Sequence, residues 1–226
     1  MSTRSTRLHQ IKLVSWDVDG TLYSIRRMKW FLIRTFLREM ARGRVLEAGK
    51  ELAALNRYRA QIDAFRSTGG AIAESFMKQT RREVLLEIEK RWYGPAIQKT
   101  GPRRGVTSVI SFFASRNIPQ VIVSDYEAGY KLNAMGLADN FASIYAGERL
   151  GFVKPSHAGF QRAAEDFEIP TTSLLHIGDR ADRDDVAAQA AGCQRLILGR
   201  DFRSFDDLLA RLHSDFPMSF DKAEET

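Results

Sequence analysis

Apolar and polar residues alternate with two different periods along this chain. Short runs of contiguous apolar residues predict buried strands over 11–16, 120–123, 174–177 and 195–198, with a shorter strand near 143–145. From about residue 99 onward, helical spacing fills the segments between these runs. Strands that alternate with helices through short loops predict an α/β domain with a parallel sheet covered on both faces.

The stretch between the first strand and residue 99 has a helical period only. Helices are predicted up to Gly43, and then over about 45–66, 71–79 and 81–92, where we expect Gly94-Pro95 to end the last helix. This stretch adds no strand to the sheet, so we interpret it as an insertion. The predicted fold is a Rossmann-like core with an inserted all-helical cap domain. The predicted domains are the core, 1–23 and 99–226, and the cap, 24–98.

Two aspartates follow the first predicted strand. In the stretch VSWDVDGTL, Asp17 and Asp19 stand two positions apart, so extended backbone places both side chains on the same face. Two carboxylates at that distance repel each other, and each opposes the ionisation of the other. A bound cation or a shared proton would relieve this repulsion.

Further polar residues follow the other predicted strands. Ser124 ends the second strand, Lys154 lies in a loop, and the fourth strand runs into the acidic stretch 178–185, which contains Asp179 and Asp184. In open parallel sheets, ligands bind at the carboxyl ends of the strands. We therefore expect these acidic groups, the hydroxyl and the lysine to converge at one edge of the sheet.

This set of residues suits Mg²⁺ and phosphoryl chemistry. Mg²⁺ takes oxygen ligands, which Asp17 and Asp179 can supply. A carboxylate can attack phosphorus and form an aspartyl-phosphate, so Asp17 can also serve as a nucleophile. Asp19 can protonate the leaving oxygen and later activate water. Ser124 and Lys154 can bind the phosphate oxygens.

Each motif alone also has a simpler explanation. The stretch DVDGT can be a capped turn, Ser124 a loop serine, and the stretch 178–185 a solvated acidic loop or a calcium-like site. Their order and their placement at strand ends favour an enzyme. His176 lies inside an apolar strand and is expected to be a packed core residue, and Cys193 is expected to be buried and inert.

Together, the motifs resemble those of the haloacid dehalogenase superfamily of hydrolases. They are DVDGT at 17–21, VIVSD at 121–125, GFVKPS at 151–156 and HIGDRADRDD at 176–185. The resemblance covers about 11–23 and 99–200. It implies a Rossmann-like core, dependence on Mg²⁺ and an aspartyl-phosphate intermediate.

The resemblance also implies a role for each matching residue. Asp17 is the expected nucleophile, Asp19 the expected general acid and base, and Lys154 the third catalytic residue. The expected metal ligands are Asp17, Asp179 and the backbone carbonyl of Asp19. Asp184 is expected to orient the metal ligands or Lys154 from behind. The expected phosphate-binding residues are Gly20, Thr21, Ser124, Asp125 and Lys154.

The helical insertion resembles the cap of the phosphoglycolate phosphatase and β-phosphoglucomutase branch, which closes over the site and selects the substrate. Residues 24–98 carry 16 Lys and Arg against 8 Asp and Glu. This charge favours an anionic substrate, although a solvated basic surface explains it equally well. Arg26, Arg27 and Trp30 follow the first motif and are the candidate specificity residues.

Some positions depart from the family pattern. Trp16 is bulkier than the small apolar residue expected before the nucleophile, and Asp125 stands where asparagine is common. Ser156-His157 replaces a frequent acid-proline pair. These departures remove no catalytic group, but they leave the substrate open. Asp19 favours phosphoester hydrolysis over dehalogenation, because a halide leaving group needs no proton.

The charge is unevenly divided along the chain. The 226 residues carry a net charge of +6, with 23 Lys and Arg against 10 Asp and Glu in residues 1–116 and 11 against 18 in the rest. A basic half attracts anions such as phosphorylated metabolites, nucleic acid or an anionic membrane, or is simply a solvated surface.

Compartment and partners are predicted from composition. The first ten residues lack the apolar core of a signal peptide and predict a disordered tail rather than a transit peptide, and no apolar run approaches a membrane span. The single cysteine excludes an internal disulfide. We expect a cytoplasmic protein whose partner is a small phosphorylated substrate, not a membrane or nucleic acid. The oligomeric state is open.

The predicted function is a Mg²⁺-dependent phosphatase that hydrolyses a small phosphorylated metabolite, with the cap as a lid. One alternative is a phosphosugar mutase that uses the same chemistry. A second alternative is a non-catalytic binding module whose basic cap docks on nucleic acid or an acidic partner. The intact set of nucleophile, acid, serine, lysine and metal-binding acid favours an enzyme.

Overall fold

A computed structural model describes residues 10–215 of the chain. Its strands are β1 (Leu13–Trp16), β2 (Gln120–Ser124), β3 (Ser143–Ala146), β4 (Leu174–Gly178) and β5 (Gln194–Ile197). Every strand predicted from the apolar runs is present, with ends within two residues of the prediction. The disordered tail predicted for the first ten residues lies, apart from residue 10, outside the described residues.

The strands form one parallel sheet with the order β3-β2-β1-β4-β5. β1 is the central strand, and the chain adds strands first on one side of it and then on the other. This is the order of a doubly wound sheet, so the Rossmann-like α/β prediction is confirmed. The order reverses at β1, and ligands bind beside the carboxyl end of such a strand.

The helices cover both faces of the sheet. Between β1 and β2 lie α1 (Ile25–Ala41), α2 (Val45–Arg66), α3 (Glu74–Gln79), α4 (Arg82–Thr100) and α5 (Val106–Ala114). After β2 come α6 (Gly129–Met135), α7 (Gly147–Leu150), α8 (Ala158–Asp166), α9 (Val186–Ala190) and α10 (Phe205–Asp215). Within the described range, no helix combines the length and the apolar character needed to cross a bilayer.

Helices α1 to α4, which we call the inserted helices, pack directly on the sheet domain. Met28 of α1, Leu55 of α2 and Tyr93 of α4 belong to the same buried apolar cluster as Val14 of β1. The packing joins the inserted helices to the core, and the division into a cap over 24–98 and a core stays a prediction.

Neighbouring residues of β1 pack in different layers because strand side chains alternate between faces. Val14 and Trp16 belong to one apolar cluster and Leu13 to another. The Trp16 ring is fully buried and stacks on Phe205 with 6.0 Å between ring centroids. Its Nε1–H donates to Gln120 Oε1 at 3.0 Å, which provides the partner that a buried indole needs. The fold thus accommodates this unusually large residue before Asp17.

The prediction that Gly94-Pro95 ends the fourth inserted helix is wrong. Helix α4 continues through Pro95 to Thr100. Proline inside a helix costs about 3 kcal/mol. Trp92 and Tyr93 before it and Ile97 after it are all buried, and burying one large apolar side chain contributes about 1.5–3 kcal/mol. Tertiary packing therefore outweighs the local preference to break.

The packing of α2 can be tested with two leucines of that helix. Leu55 is fully buried in the main cluster, whereas Leu46 is 81% exposed. We expect Leu55→Ala to lower the free energy of unfolding by about 2–5 kcal/mol, because it leaves a cavity. Leu46→Ala is the control and should change it by less than about 0.5 kcal/mol. Urea denaturation measures both, and equal effects would contradict the observed packing.

Candidate active site

The carboxyl ends of β1, β2 and β4 bring the motif residues together. Asp17 directly follows β1, and its N–H donates to Ile177 O of β4 at 2.9 Å. Asp17, Ser124 and Lys154 line one cavity of about 230 Å³. The convergence predicted from strand-end placement is therefore present. The roles of these residues in a reaction stay predictions.

Lys154 is the centre of the charged cluster. Its buried Nζ donates to Asp17 Oδ1 at 2.6 Å, to Asp184 Oδ1 at 2.5 Å and to Val123 O at 3.2 Å. The two carboxylates hold the pKa of Lys154 above its ordinary value, although burial opposes this. One ammonium group thus neutralises part of the charge on two carboxylates.

Asp184 is fixed from several sides. Its Oδ2 accepts hydrogen bonds from the backbone N–H groups of Asp179 and Arg180 at 3.1 and 2.9 Å. Burial opposes ionisation, but Lys154 and the His176 ring hold the pKa of Asp184 below its ordinary value. A side chain at Gly178 would put its Cβ 2.5 Å from the carboxyl carbon of Asp184. The close approach of backbone to carboxylate therefore requires glycine here.

Three carboxylates form a group that suits a cation. One oxygen each from Asp17, Asp179 and Asp184 lies within 4.8 Å of the others. Burial and the neighbouring carboxylates raise the pKa of Asp17 well above its ordinary value, although Lys154 opposes the shift. Burial, with the charge of Asp184, raises the pKa of Asp179 to about 6. Lys154 alone does not balance this charge, and carboxylate oxygens are the donors that Mg²⁺ prefers.

Asp19 faces a separate set of partners in the same cavity. Its carboxylate accepts a hydrogen bond from Lys131 Nζ at 2.5 Å and a very short one from the Tyr23 hydroxyl. Burial would raise its pKa, but the charges of Lys131 and Arg59 hold the pKa of Asp19 below its ordinary value. Its carboxylate does not belong to the acidic group above, which agrees with a metal contact only through its backbone carbonyl.

Gly20 and Thr21 shape the loop that carries Asp17. Thr21 is fully buried, and its hydroxyl donates to Asp17 Oδ2 at 3.1 Å. Gly20 has a φ of +107°, and a Cβ there would lie 2.2 Å from Asp179 Oδ2. Neither residue lines the cavity. The two residues lie behind two carboxylates, and their predicted phosphate contacts stay a prediction.

Asp125 lines the cavity and is bound by the protein through both carboxylate oxygens, and its predicted phosphate contact stays a prediction. Its Oδ1 accepts the backbone N–H of Lys154 at 2.7 Å, and its Oδ2 accepts Arg66 Nη1 at 2.7 Å. The same guanidinium nitrogen donates to Lys154 O at 2.6 Å. The carboxylate is thus engaged by the protein, and Arg66 of α2 supplies the positive charge that compensates for an acid in place of an amide. Asp125 and Arg66 together clamp the backbone of Lys154.

Ser124 presents an unsatisfied hydroxyl to the cavity. The residue is buried, and its Oγ has no hydrogen-bond partner in the described part of the chain. Buried polar atoms are normally paired, so an unpaired one at a cavity wall indicates a ligand. This fits the phosphoryl contact predicted from the sequence.

The candidate specificity residues do not reach this cavity. Arg26, Arg27 and Trp30 are exposed and line a different depression on α1. Met28 and Lys29 of the same helix line the cavity instead. Each residue of a helix is rotated by about 100° from the one before it, so proximity in sequence to Asp17 does not decide which positions face inward.

Several cavity residues were absent from the sequence prediction. Arg59, Tyr126, Tyr130 and Lys131 all line the cavity, and Arg66 of α2 contacts the lining residue Asp125. Lys131 carried a sequence signal, because it stands beside apolar residues in a short helix. In the structure its side chain is buried. The positions on α2 carried no signal that separates them from the other arginines of the inserted helices.

Two residues that the sequence predicted to be structural are buried. His176 lies inside β4, with its ring between the Ser15 hydroxyl at 2.9 Å and Asp184 at 3.3 Å. Burial holds the pKa of His176 below its ordinary value. Cys193 is a free, buried thiol whose pKa is raised by burial to about 12. Both observations confirm packed positions.

Comparison with curated proteins gives a partial match. Over 97 residues the chain is 35% identical to a phosphoglycolate phosphatase of Neisseria gonorrhoeae. The matched segment covers 42% of this chain and 41% of that protein. The chain thus matches about two fifths of the length of this relative.

Comparison with solved structures extends over nearly the whole chain. YfnB, a HAD hydrolase of Bacillus subtilis bound to magnesium, has a TM-score of 0.60 at 19% identity and covers 89% of this chain and 98% of its own. A β-phosphoglucomutase of Clostridium difficile has a TM-score of 0.54 at 16% identity and covers 88% and 87%. These likenesses show a common fold.

The match that decides the family is the one to a family model, which spans most of the chain. The model of the haloacid dehalogenase-like hydrolases matches residues 11–192, which include all the motif residues described above. The strand order and the grouping of Asp17, Ser124, Lys154 and Asp184 agree with the resemblance that the motifs indicated. The chain therefore belongs to the haloacid dehalogenase-like hydrolase family.

Proposed function

We propose that this protein is a Mg²⁺-dependent phosphatase that hydrolyses a small phosphorylated metabolite through an aspartyl-phosphate on Asp17. The main support is a single arrangement. Asp17 lies beside Lys154 and two further carboxylates, in a cavity whose wall presents the unpaired hydroxyl of Ser124. The matched part of the phosphoglycolate phosphatase relative also supports phosphoester chemistry.

The acidic group fits Mg²⁺. Asp17 and Asp179 would hold the ion, with the backbone carbonyl of Asp19, and Asp184 would steady the set through its contacts with Lys154 and the Asp179 backbone. When bound, Mg²⁺ would neutralise carboxylate charge and let a phosphate dianion approach Asp17. Burial and the neighbouring carboxylates raise the pKa of Asp17 and of Asp179, which supports a cation at this place.

The residues of the chain divide the reaction between them. A carboxylate oxygen of Asp17 attacks phosphorus while the bond from phosphorus to the alcohol oxygen breaks, and that oxygen takes a proton from Asp19. Ser124 and Lys154 bind the phosphoryl oxygens throughout. Water then attacks the aspartyl-phosphate and gives its proton to Asp19, which frees Asp17 and phosphate.

The low pKa of Asp19 belongs to the protein before substrate binds. Lys131 and Tyr23 hold the ionised form. A phosphate dianion beside Asp19 adds negative charge, and negative charge raises the proton affinity of a carboxylate. We therefore expect Asp19 to carry a proton only in the substrate complex.

The proposal includes the inserted helices as a lid over the site. Residues on α1, α2 and α4 line the cavity together with residues of the sheet domain. The YfnB structure is described as revealing interdomain movement, which supports a mobile cap over 24–98. The proposed compartment is the cytoplasm, since the single cysteine is a free thiol.

The first prediction concerns the nucleophile. We expect the protein to release phosphate from 4-nitrophenyl phosphate only with Mg²⁺, and we expect Asp17→Asn to lower kcat by more than about 10³-fold. Asp182→Asn is the control, because Asp182 is an exposed acid of the same acidic stretch. A phosphate-release assay measures both variants.

Two outcomes would contradict this proposal. If the wild type and Asp17→Asn are equally silent on a broad panel of phosphate esters, the binding-module alternative gains support. If phosphate moves between positions of a phosphosugar while none is released to water, the mutase alternative is correct.

The second prediction concerns pH and the metal. In the folded protein without metal, Asp179 has a pKa of about 6 against 3.8 ordinarily, so the folded state is favoured by protonation. Its contribution to stability is therefore lost as the pH rises from about 4 to about 6. Mg²⁺ should restore it, because a cation stabilises the ionised group. We expect Mg²⁺ to raise the Tm by several degrees more at about pH 7.5 than at about pH 5.

Differential scanning fluorimetry measures this difference, and Asp179→Asn is the matched variant. This substitution removes the titrating carboxylate. At the higher pH, Mg²⁺ should therefore raise the Tm of Asp179→Asn by less than it raises the Tm of the wild type. An equal Mg²⁺ effect at the two pH values in the wild type would contradict the assigned metal ligands.

The third prediction concerns the clamp on Lys154. We expect Arg66→Met to lower kcat/KM by about 10–100-fold, because it frees the Lys154 backbone and leaves Asp125 without its counter-charge. Adding Asp125→Asn should recover part of the loss, since an amide needs no cation. Arg57→Met is the control, as Arg57 is exposed on the same helix. Steady-state kinetics, corrected for the folded fraction of each variant, measure kcat/KM. If the kcat/KM of Arg66→Met stays within about twofold of the wild type, the clamp is contradicted.

A further inference from the structure

The cavity has two chemically different ends. Asp17, Ser124 and Lys154 lie at the end where the phosphoryl group is proposed to bind. Asp19 is the proposed acid for the leaving oxygen, so the group attached to that oxygen must lie on the Asp19 side. There the lining residues come from the inserted helices and from α6, and they include Arg59 and Tyr130.

Arg59 packs against two tyrosine rings but makes no hydrogen bond to the residues that the structure describes. Its guanidinium carbon lies 4.5 Å from the centroid of the Tyr93 ring and 5.2 Å from that of Tyr126. Its Nε is buried and has no hydrogen-bond partner among the described residues. The carboxylate paired with it is Glu89, with 3.7 Å between Nη2 and Oε1, which exceeds hydrogen-bond distance. Guanidinium donors therefore remain unused at the cavity wall.

The carboxylates that line the cavity have hydrogen-bonded cationic partners other than Arg59. Six Lys and Arg and five Asp line it. Each of these carboxylates has a cationic partner, in the pairs Asp17–Lys154, Asp184–Lys154, Asp19–Lys131, Asp125–Arg66 and Asp63–Arg66. Lys29 has no ion pair in the described part of the chain. Arg59 has an ion pair with Glu89 at 3.7 Å but makes no hydrogen bond within it, so its donors and Lys29 are available to a ligand at the leaving-group end.

A second unpaired donor lies at the same end. The Tyr130 hydroxyl is buried and has no hydrogen-bond partner in the described range. Burial raises the pKa of Tyr130 well above its ordinary value, so this hydroxyl keeps its proton. Buried donors that the protein leaves unpaired are expected to be satisfied by a ligand. An oxyanion is the group that could accept from both an arginine and a phenol.

We infer that Arg59, supported by Lys29 and Tyr130, forms a subsite for an anionic group on the alcohol part of the substrate. The inference rests on the proposed phosphatase function and narrows its substrate class. The substrate would be the phosphate monoester of a small alcohol that carries a carboxylate or a second phosphate. A cavity of about 230 Å³ holds such a molecule but is below the usual range for larger ligands.

The planar edge of a guanidinium group matches an oxyanion with two accepting oxygens. The two tyrosine rings fix the plane of Arg59, so little side-chain freedom is lost when the anion binds. A neutral alcohol of the same size would leave the Arg59 donors unsatisfied. Selection against neutral alcohols is therefore expected to be strong.

The test compares matched substrates as a ratio. Phosphoglycolate has a carboxylate where 2-hydroxyethyl phosphate has a hydroxymethyl group. Ethane-1,2-diol bisphosphate carries a second phosphate on the hydroxyl of that group. We expect kcat/KM for at least one dianionic-tail or carboxylate substrate to exceed that for 2-hydroxyethyl phosphate by at least about tenfold. The substrate with the higher kcat/KM shows whether the subsite prefers a carboxylate or a phosphate. Arg59→Met should bring the ratio to within about threefold of one.

Arg57→Met is the matched control, because it removes the same charge from an exposed position of α2. It should keep the wild-type ratio. A wild-type ratio near one, or a high ratio that Arg59→Met leaves intact, would overturn the inference while phosphatase activity stands.

A binding measurement keeps this test separate from turnover. Calorimetric titration of the Asp17→Asn variant with phosphoglycolate and Mg²⁺ should give tighter binding than 2-hydroxyethyl phosphate, and adding Arg59→Met should remove the difference. If the wild type hydrolyses no phosphate ester, the phosphatase proposal fails, and this titration still decides whether the anion subsite exists. Equal binding of the two ligands to Asp17→Asn would reject the subsite.

Discussion

The site depends on one electrostatic constraint, the crowding of carboxylates at the end of the central strand. Asp17, Asp179 and Asp184 lie so close together that they could not all ionise in a buried position without compensating charge. Lys154 supplies part of that charge through its contacts with two of them. The remaining negative charge explains why the same place suits a divalent cation. The fold thus leaves uncompensated negative charge at the candidate site.

Much of the fold and the core of the site could be predicted from sequence. Strands of a parallel sheet are buried on both faces, so their apolar runs are easy to recognise, and the residue that follows each run must lie at the same edge. That rule placed Asp17, Ser124 and Asp179 correctly without any knowledge of packing. The continuation of α4 through Pro95 was missed, because it depends on apolar contacts that no local pattern records.

The contributions of the inserted helices were the part that sequence could not supply. Arg66 and Arg59 are two of many arginines in the stretch, and only the packing of α2 on the sheet domain distinguishes them. The departure at Asp125 becomes intelligible through Arg66, since an acid and its counter-ion lie on segments far apart in the chain. Trp16 is a similar case, because its partner Gln120 belongs to the neighbouring strand.

The position of two arginines on α2 has a mechanical consequence. Arg59 and Arg66 are seven residues apart, which is about two helical turns, so both project from the same side of one rigid rod. Arg59 belongs to the proposed anion subsite, and Arg66 donates a hydrogen bond to the backbone of Lys154. A small tilt of this rod would displace both arginines at once. A movement of α2 would then affect both the selection of the substrate and the position of Lys154 in the charged cluster.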